Sequence, residues 1–207
     1  MRERPILLNA DMVRAVLNGS KTQTRRIITP QPKLTERSGF EWKGYLFGAG
    51  SDDRETNRNF SHVKCPFGQP GDRLWVRETF SVVPHTAYAA SEGVQQVICP
   101  DDSHEAAIFR AGWEHSTGGI RWRPSIHMPR WASRITLEIT GVRVERLASV
   151  SNDDARAEGY PAERAADGSN IDPWLWFRDL WDGIYPEQSF KVNPWVWVIE
   201  FKRMEGE

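Results

Sequence analysis

The run Asn18-Gly19-Ser20-Lys21-Thr22-Gln23-Thr24-Arg25-Arg26-Ile27-Ile28 joins a helix to a strand through a polar, cationic link. On its N-terminal side, Pro5-Ile6-Leu7-Leu8-Asn9 reads as a short strand. Asn9 and Asp11 are both good caps for a helix over residues 12–17, whose apolar stripe is Val13, Val16 and Leu17. Asn18-Gly19 stops that helix, because glycine tolerates the left-handed conformation of a helix end. On the other side, the β-branched content of residues 21–28 predicts a strand, broken by Pro30 and Pro32.

Further along, residues 29–69 are polar and Gly-rich and read as an insertion with one hairpin around residues 42–47. Residues 72–80 alternate as a strand with Leu74, Val76, Glu78 and Phe80 on one face. A second insertion covers residues 81–119. Residues 120–124 then lead to a long strand or hairpin over residues 133–147. There Ile135, Leu137 and Ile139 alternate until Gly141 shifts the register, as a bulge would, and leaves Val142 and Val144 inward. Ser151 opens a short capped helix that Gly159 closes. Residues 173–184 form a helix with Trp174, Phe177, Trp181 and Ile184 on one stripe. In the last strand, residues 194–201, Trp195, Trp197, Ile199 and Phe201 share a face. Strands separated by long insertions, with few helices, predict one α+β domain built as a small mixed barrel with flanking helices.

Composition narrows the function. The 207 residues carry 27 Lys+Arg against 28 Asp+Glu, a net charge of -1, which excludes a globally basic nucleic-acid binder but not a local basic patch. Ten Trp supply much of the apolar volume, and two Cys do not make a disulfide scaffold. No apolar run is long enough for a membrane span and no signal-peptide stretch stands near Met1, so the expected setting is the cytoplasm, with no membrane partner. There is no phosphate-binding loop, dinucleotide fingerprint, nucleophile elbow or zinc-protease helix. One metal constellation is conceivable, His62 and Cys65 with Cys99 and His104. Neither spacing is that of a standard finger, and buried apolar cysteines account for the same residues. We therefore assign no metal and no cofactor.

The chemistry concentrates at residues 19–26. Lys21 has two readings: a cation complementing the end of the preceding helix, or a buried amine whose pKa is lowered so that it serves as a base, with Thr24 as nucleophile or anchoring hydroxyl. Residues three apart on a strand face opposite sides, so Lys21 and Thr24 converge only if Lys21 is still in the turn. Glu78, on an inward face, needs a partner such as Lys21, Arg26 or Arg77, and is either a buried structural ion pair or a functional acid. Trp122 and Trp131 alternate with Arg121, Arg123, Arg130, Arg134 and His127. That pattern suits base stacking and phosphate contact, and equally suits Arg packed over Trp within the fold.

Three segments resemble ASCH domains, a branch of the PUA-like β-barrels: residues 18–26, Gly71-Asp72-Arg73-Leu74-Trp75-Val76-Arg77, and Ile184-Tyr185-Pro186 followed by residues 197–202. They cover about half of the 207 residues, and the insertions and Trp-rich C-terminus resemble the larger ASCH proteins of tailed phages and prophages. Small bacterial members of the N(4)-acetylcytidine amidohydrolase type use a Lys, a Thr three residues later and a Glu in a later helix, which align with Lys21, Thr24 and Glu158. The resemblance implies amide hydrolysis of an acylated cytidine, with Lys21 as base, Thr24 as nucleophile and Glu158 as proton donor or lysine orienter. Arg25, Arg26, Arg77, Glu78, Trp122 and Trp131 are the expected substrate-binding residues. The expected partner is a modified nucleoside, or a single-stranded or modified nucleic acid. Two alternatives stand beside it: a non-catalytic module binding RNA or modified DNA through the same pocket, and a single-strand ribonuclease.

Overall fold

A computed structural model describes residues 1–35, 40–47, 63–114, 118–165 and 171–204. The chain runs through β1 (Glu3–Leu7), α1 (Ala10–Leu17), β2 (Gln23–Ile27), β3 (Lys33–Leu34), β4 (Phe40–Trp42), β5 (Tyr45–Phe47), β6 (Arg73–Arg77) and β7 (Phe80–Pro84). It continues with β8 (Val97–Ile98), β9 (Glu105–Phe109), β10 (Thr136–Arg146), α2 (Asn152–Ala157), α3 (Ala162–Ala165), α4 (Asp172–Ile184) and β11 (Trp195–Arg203). The fold is mixed α+β. No helix among the described residues is long and apolar enough to cross a membrane.

Five strands form the main sheet in the order β1-β6-β10-β11-β2. β1 and β6 pair in parallel and the other neighbours are antiparallel. Among the described residues no ladder joins the outer strands β1 and β2, so backbone pairing does not close the expected barrel. A side chain spans the gap instead: the Arg26 guanidinium donates to the Leu7 carbonyl at 2.7 Å.

Apolar residues on both faces of β11 decide how the sheet is covered. Trp195, Trp197, Ile199 and Phe201 join Leu74, Leu137, Ile139 and Val144 in one core, together with Met12, Val13 and Val16 of α1. Val196 and Val198 point the other way, into a second core with Leu147, Phe177 and Trp181. α1 and α4 thus cover opposite faces, and a strand buried on both sides reads as a continuous apolar run. The β10 bulge lies between Ile139 and Gly141, as the sequence predicts.

Two expectations are corrected. The strand foreseen over residues 72–80 breaks at Glu78-Thr79: β6 stays in the main sheet, while β7 pairs with β9 in a separate three-stranded sheet, β7-β9-β8. The break follows from Glu78, whose buried carboxylate is turned to the Arg134 guanidinium, so the residue cannot extend an apolar face. Residues 120–124 meet this sheet through an isolated bridge between Phe80 and Arg123. Ile184, expected on the apolar stripe of its helix, is 39% exposed, because α4 ends there. The hairpin around residues 42–47 is β4–β5, with Lys43 and Gly44 both left-handed in its turn.

Candidate functional site

The link between α1 and β2 is extended but is not part of the strand. Its backbone is stitched on three sides: Lys21 N donates to Ala15 O at 2.9 Å, Thr22 N to Ala157 O at 2.8 Å, and Phe201 N to Thr22 O at 2.9 Å. Lys21 forms an isolated bridge with Glu158, and β2 starts only at Gln23. Lys21 therefore lies past the turn at residues 18–19 but outside β2, so strand alternation does not set its side relative to Thr24.

Two local features bring Glu158 there. Ser151 caps α2 in a reciprocal box with Asp154, so the helix starts at a defined point and ends at Glu158. Gly159 then turns with φ +101°, and a Cβ at this position would lie 2.8 Å from Ala15 Cβ and 3.2 Å from Lys21 Cβ. Only glycine allows the end of α2 to approach α1 and Lys21 so closely.

Lys21, Thr24, Arg25 and Glu158 are 2%, 1%, 2% and 3% exposed, so the site is shut off from bulk solvent. Lys21 Nζ donates to Glu158 Oε2 and to the Glu158 carbonyl, both at 2.8 Å. Arg25 Nη1 reaches the other carboxylate oxygen of Glu158 at 3.2 Å, while Arg25 Nη2 lies 3.2 Å from Glu145 Oε2 and 3.5 Å from Asp154 Oδ1. Arg143 closes the network through Glu145, Asp154 and Glu200, and Gln23 donates to Asp154 Oδ1 at 3.0 Å. Register explains the grouping. Arg25 and Arg143 both pair with Val198, and Glu145 with Val196, so all three share the face covered by α4.

Burial pushes the Lys21 amine below its ordinary value of 10.5, against the opposing pull of Glu158 and with a smaller push from Arg26 and Arg25. In the neutral amine both hydrogens are used by Glu158, which leaves the lone pair free. Asp154 is held well below the usual carboxylate range: its partial burial works the other way and is outweighed by hydrogen bonds from Ser151 and Gln23 and by the Arg25 charge.

Thr24 pairs with Ile199, on the sheet face opposite Arg25. Its Oγ1 is buried without a hydrogen-bond partner among the described residues, as is Arg25 Nε. Two cavities meet near these groups. A cavity of about 420 Å³ has Glu158, Met12, Leu180 and Trp176 in its lining. A smaller one of about 10 Å³, room for about one water, is lined by Thr24, Arg25, Glu158 and side chains of α4. Met12, Glu158 and Leu180 line both. Lys21 lines neither; its side chain is fully enclosed. The arrangement holds an amine, a hydroxyl and a carboxylate away from bulk solvent and beside open space, the set that acyl-transfer chemistry uses.

Compared with known proteins, the chain matches no family model, no curated protein and no solved structure.

The structure brings Thr24, Arg25, Arg26 and Glu158 to the lining of one small cavity, with Lys21 behind Glu158, and sets Arg77, Glu78, Trp122 and Trp131 apart. Arg26 lies one residue beyond, donating to the Arg25 and Leu7 carbonyls. Glu78 is paired not with Lys21, Arg26 or Arg77 but with Arg134, by two parallel bonds of 2.9 and 3.0 Å. Arg77 lies over Trp75, 5.3 Å from the ring centroid, and donates to Ile126 O. Trp122 stacks edge-on to Trp113 at 5.4 Å with Arg110 at 5.7 Å, and Trp131 packs on the cluster of Phe80, Phe109 and Met128. Cys65 and Cys99 are free and buried, and burial pushes the Cys65 thiol up to about 11. His62 lies outside the described residues.

Sequence reasoning missed Glu145, Arg143 and Asp154, which complete the ion network. Their signal was present: Arg143 and Glu145 stand two apart on β10, on the face opposite Val144, and so form a charged row.

Proposed function

We propose that this is an ASCH-type, PUA-like protein that hydrolyses the acyl amide of a modified pyrimidine nucleoside such as N(4)-acetylcytidine. The observation that carries the reading is Glu158, which holds the enclosed Lys21 amine at 2.8 Å and lines one small cavity with Thr24, whose hydroxyl is buried and without a partner among the described residues. In the proposed reaction Lys21 Nζ takes the Thr24 Oγ1 proton and the oxygen adds to the acyl carbon. The bond from carbon to N4 then breaks, and Lys21 returns the proton to the leaving amine. Water then hydrolyses the acyl-Thr24 ester to the free acid. Glu158 orients Lys21, and Arg25 fixes Glu158 from its other oxygen. Proton transfer requires the Lys21 lone pair to turn toward Thr24 Oγ1, and the lowered amine pKa favours the deprotonated form that can accept the proton.

A second reading, a nucleic-acid-binding module, is favoured by a different observation. Arg77 and Arg130 lie over the Trp75 ring at 5.3 and 5.9 Å, and Arg26 and Arg77 donate to backbone carbonyls without an ion pair among the described residues. Such a surface suits single strands. One experiment separates the readings: deacylation of N(4)-acetylcytidine followed by chromatography, beside binding of a single-stranded oligonucleotide across a salt series. Turnover with weak oligonucleotide binding supports the hydrolase; steeply salt-dependent binding without turnover supports the module.

A further inference from the structure

The cavity of about 420 Å³ draws its lining from three elements: Asn18 and Ser20 after α1, Glu158 and Glu163 around α2 and α3, and Trp176 of α4. Asn18 has a fixed orientation. Its Oδ1 accepts from Ser20 N at 3.0 Å and from Ser20 Oγ at 2.7 Å, so its amide nitrogen is the free end of the side chain. Both hydrogens of that nitrogen are uncommitted among the described residues. Trp176 is held edge to face by Tyr160 at 5.7 Å, and Tyr160 is anchored in turn by its hydroxyl on Asp172, which also pairs with Arg164. A large aromatic wall and a pre-oriented donor in one cavity are the elements that recognise a planar ring bearing a carbonyl.

The charges of the same cavity point to a further selection. Arg14 in its lining is paired with Asp11, and the Lys21 and Arg25 cations behind Glu158 are matched by that carboxylate. Glu163 is exposed and makes no ion pair among the described residues. Among the described residues no uncompensated cation lines the cavity, and one uncompensated carboxylate does. A phosphate there would meet repulsion and no partner.

We propose that Trp176 and Asn18 bind the substrate's ring, Trp176 by stacking and Asn18 by donating its amide to a ring carbonyl, and that Glu163 selects an uncharged nucleoside over its phosphate. The inference rests on the hydrolase reading for its substrate, but its test does not need turnover. Cytidine and cytidine 5′-monophosphate are titrated calorimetrically into wild type and into three variants whose fold is checked by circular dichroism: Trp176→Ala, Asn18→Asp and Glu163→Gln.

Wild type binds cytidine more tightly than its monophosphate. Trp176→Ala weakens cytidine roughly tenfold, the loss of one stacked base. Asn18→Asp keeps the oxygen that Ser20 needs, replaces the donor by an acceptor, and weakens cytidine by a comparable factor. Glu163→Gln narrows the preference for the uncharged ligand. Failure of wild type to bind cytidine, or unchanged affinity in folded Trp176→Ala and Asn18→Asp, overturns the assignment. Equal affinity for the monophosphate overturns the role of Glu163. Cytidine binding that depends on Trp176, in a protein that does not deacylate N(4)-acetylcytidine, leaves this inference standing and removes the hydrolase reading instead. Turnover whose KM is unmoved in Trp176→Ala does the reverse.

Discussion

Lys21 and Glu158 are joined three ways: by a backbone bridge, by the Lys21 amine on the Glu158 carboxylate, and by the same amine on the Glu158 carbonyl. A surface ion pair is held by side chains alone and is worth little. This one is fixed through the main chain of both residues and shut off from solvent, with side-chain exposures of 0% and 3%. Isolated by burial, the amine is easier to deprotonate than an ordinary lysine, and the carboxylate that orients it cannot swing away.

The pH dependence of stability follows from this. The native Lys21 amine has a lowered pKa, chiefly through burial, whereas the unfolded chain restores the ordinary 10.5. Between those two values the unfolded chain holds the proton and the native state does not, so stability rises with pH through that window and the burial penalty on the charged form is felt in full below it. Urea unfolding of wild type and Lys21→Met at a series of pH values up to 10 should show the rise in wild type only. Parallel curves for the two proteins would contradict it.

Removing the charge of Glu158 leaves Lys21 and Arg25 buried beside a neutral group. Glu158→Gln should cost about 3 kcal/mol or more, as breaking a buried ion pair does, read from the urea midpoint. Asp154→Asn should cost less, since Asp154 is partly exposed and Arg25 keeps Glu145 and Glu158.

Gly159→Ala adds a methyl 2.8 Å from Ala15 Cβ at a left-handed position, and should destabilise by more than about 1 kcal/mol. Gly183→Ala serves as the control. It lies in α4, and a Cβ there would meet nothing within 4 Å, so the substitution should be neutral or slightly stabilising. Thermal melts of the two variants decide it.

Cys65 is 3% exposed with its thiol pushed up to about 11, chiefly by burial, so at pH 8 it should not react with a disulfide reagent in the native protein. Thiol titration before and after adding guanidinium should show Cys65 and Cys99 reacting only when unfolded. Rapid labelling of Cys65 in the native state would contradict the packing of that segment.

Much of the frame was legible in the sequence because it depends on local rules. The Asn9 and Ser151 caps, the Gly141 bulge and the alternation of residues 195–201 all appear where pattern and propensity put them. What pattern does not carry is long-range pairing. Glu78 looked inward beside Leu74 and Val76, and only the fold brings Arg134 to it from 56 residues away. The same holds within the candidate site. Burial of Lys21 depends on a bridge to a residue 137 positions along the chain, which no local reading of residues 18–28 contains. The barrel was read from strands separated by long insertions with few helices, whereas the ladders leave β1 and β2 at opposite edges, bridged by the Arg26 side chain on the Leu7 carbonyl.

Everything proposed for the site turns on the Lys21 amine doing chemistry on an acyl amide. The most direct test is the rate of acetate release from N(4)-acetylcytidine by wild type and by Lys21→Ala, with thermal melts to confirm that the variant is folded. Wild type should turn over at a rate that rises with pH to a plateau reached below 10.5, and folded Lys21→Ala should release none. Equal rates for the two proteins, or no release by wild type at any pH, would contradict it.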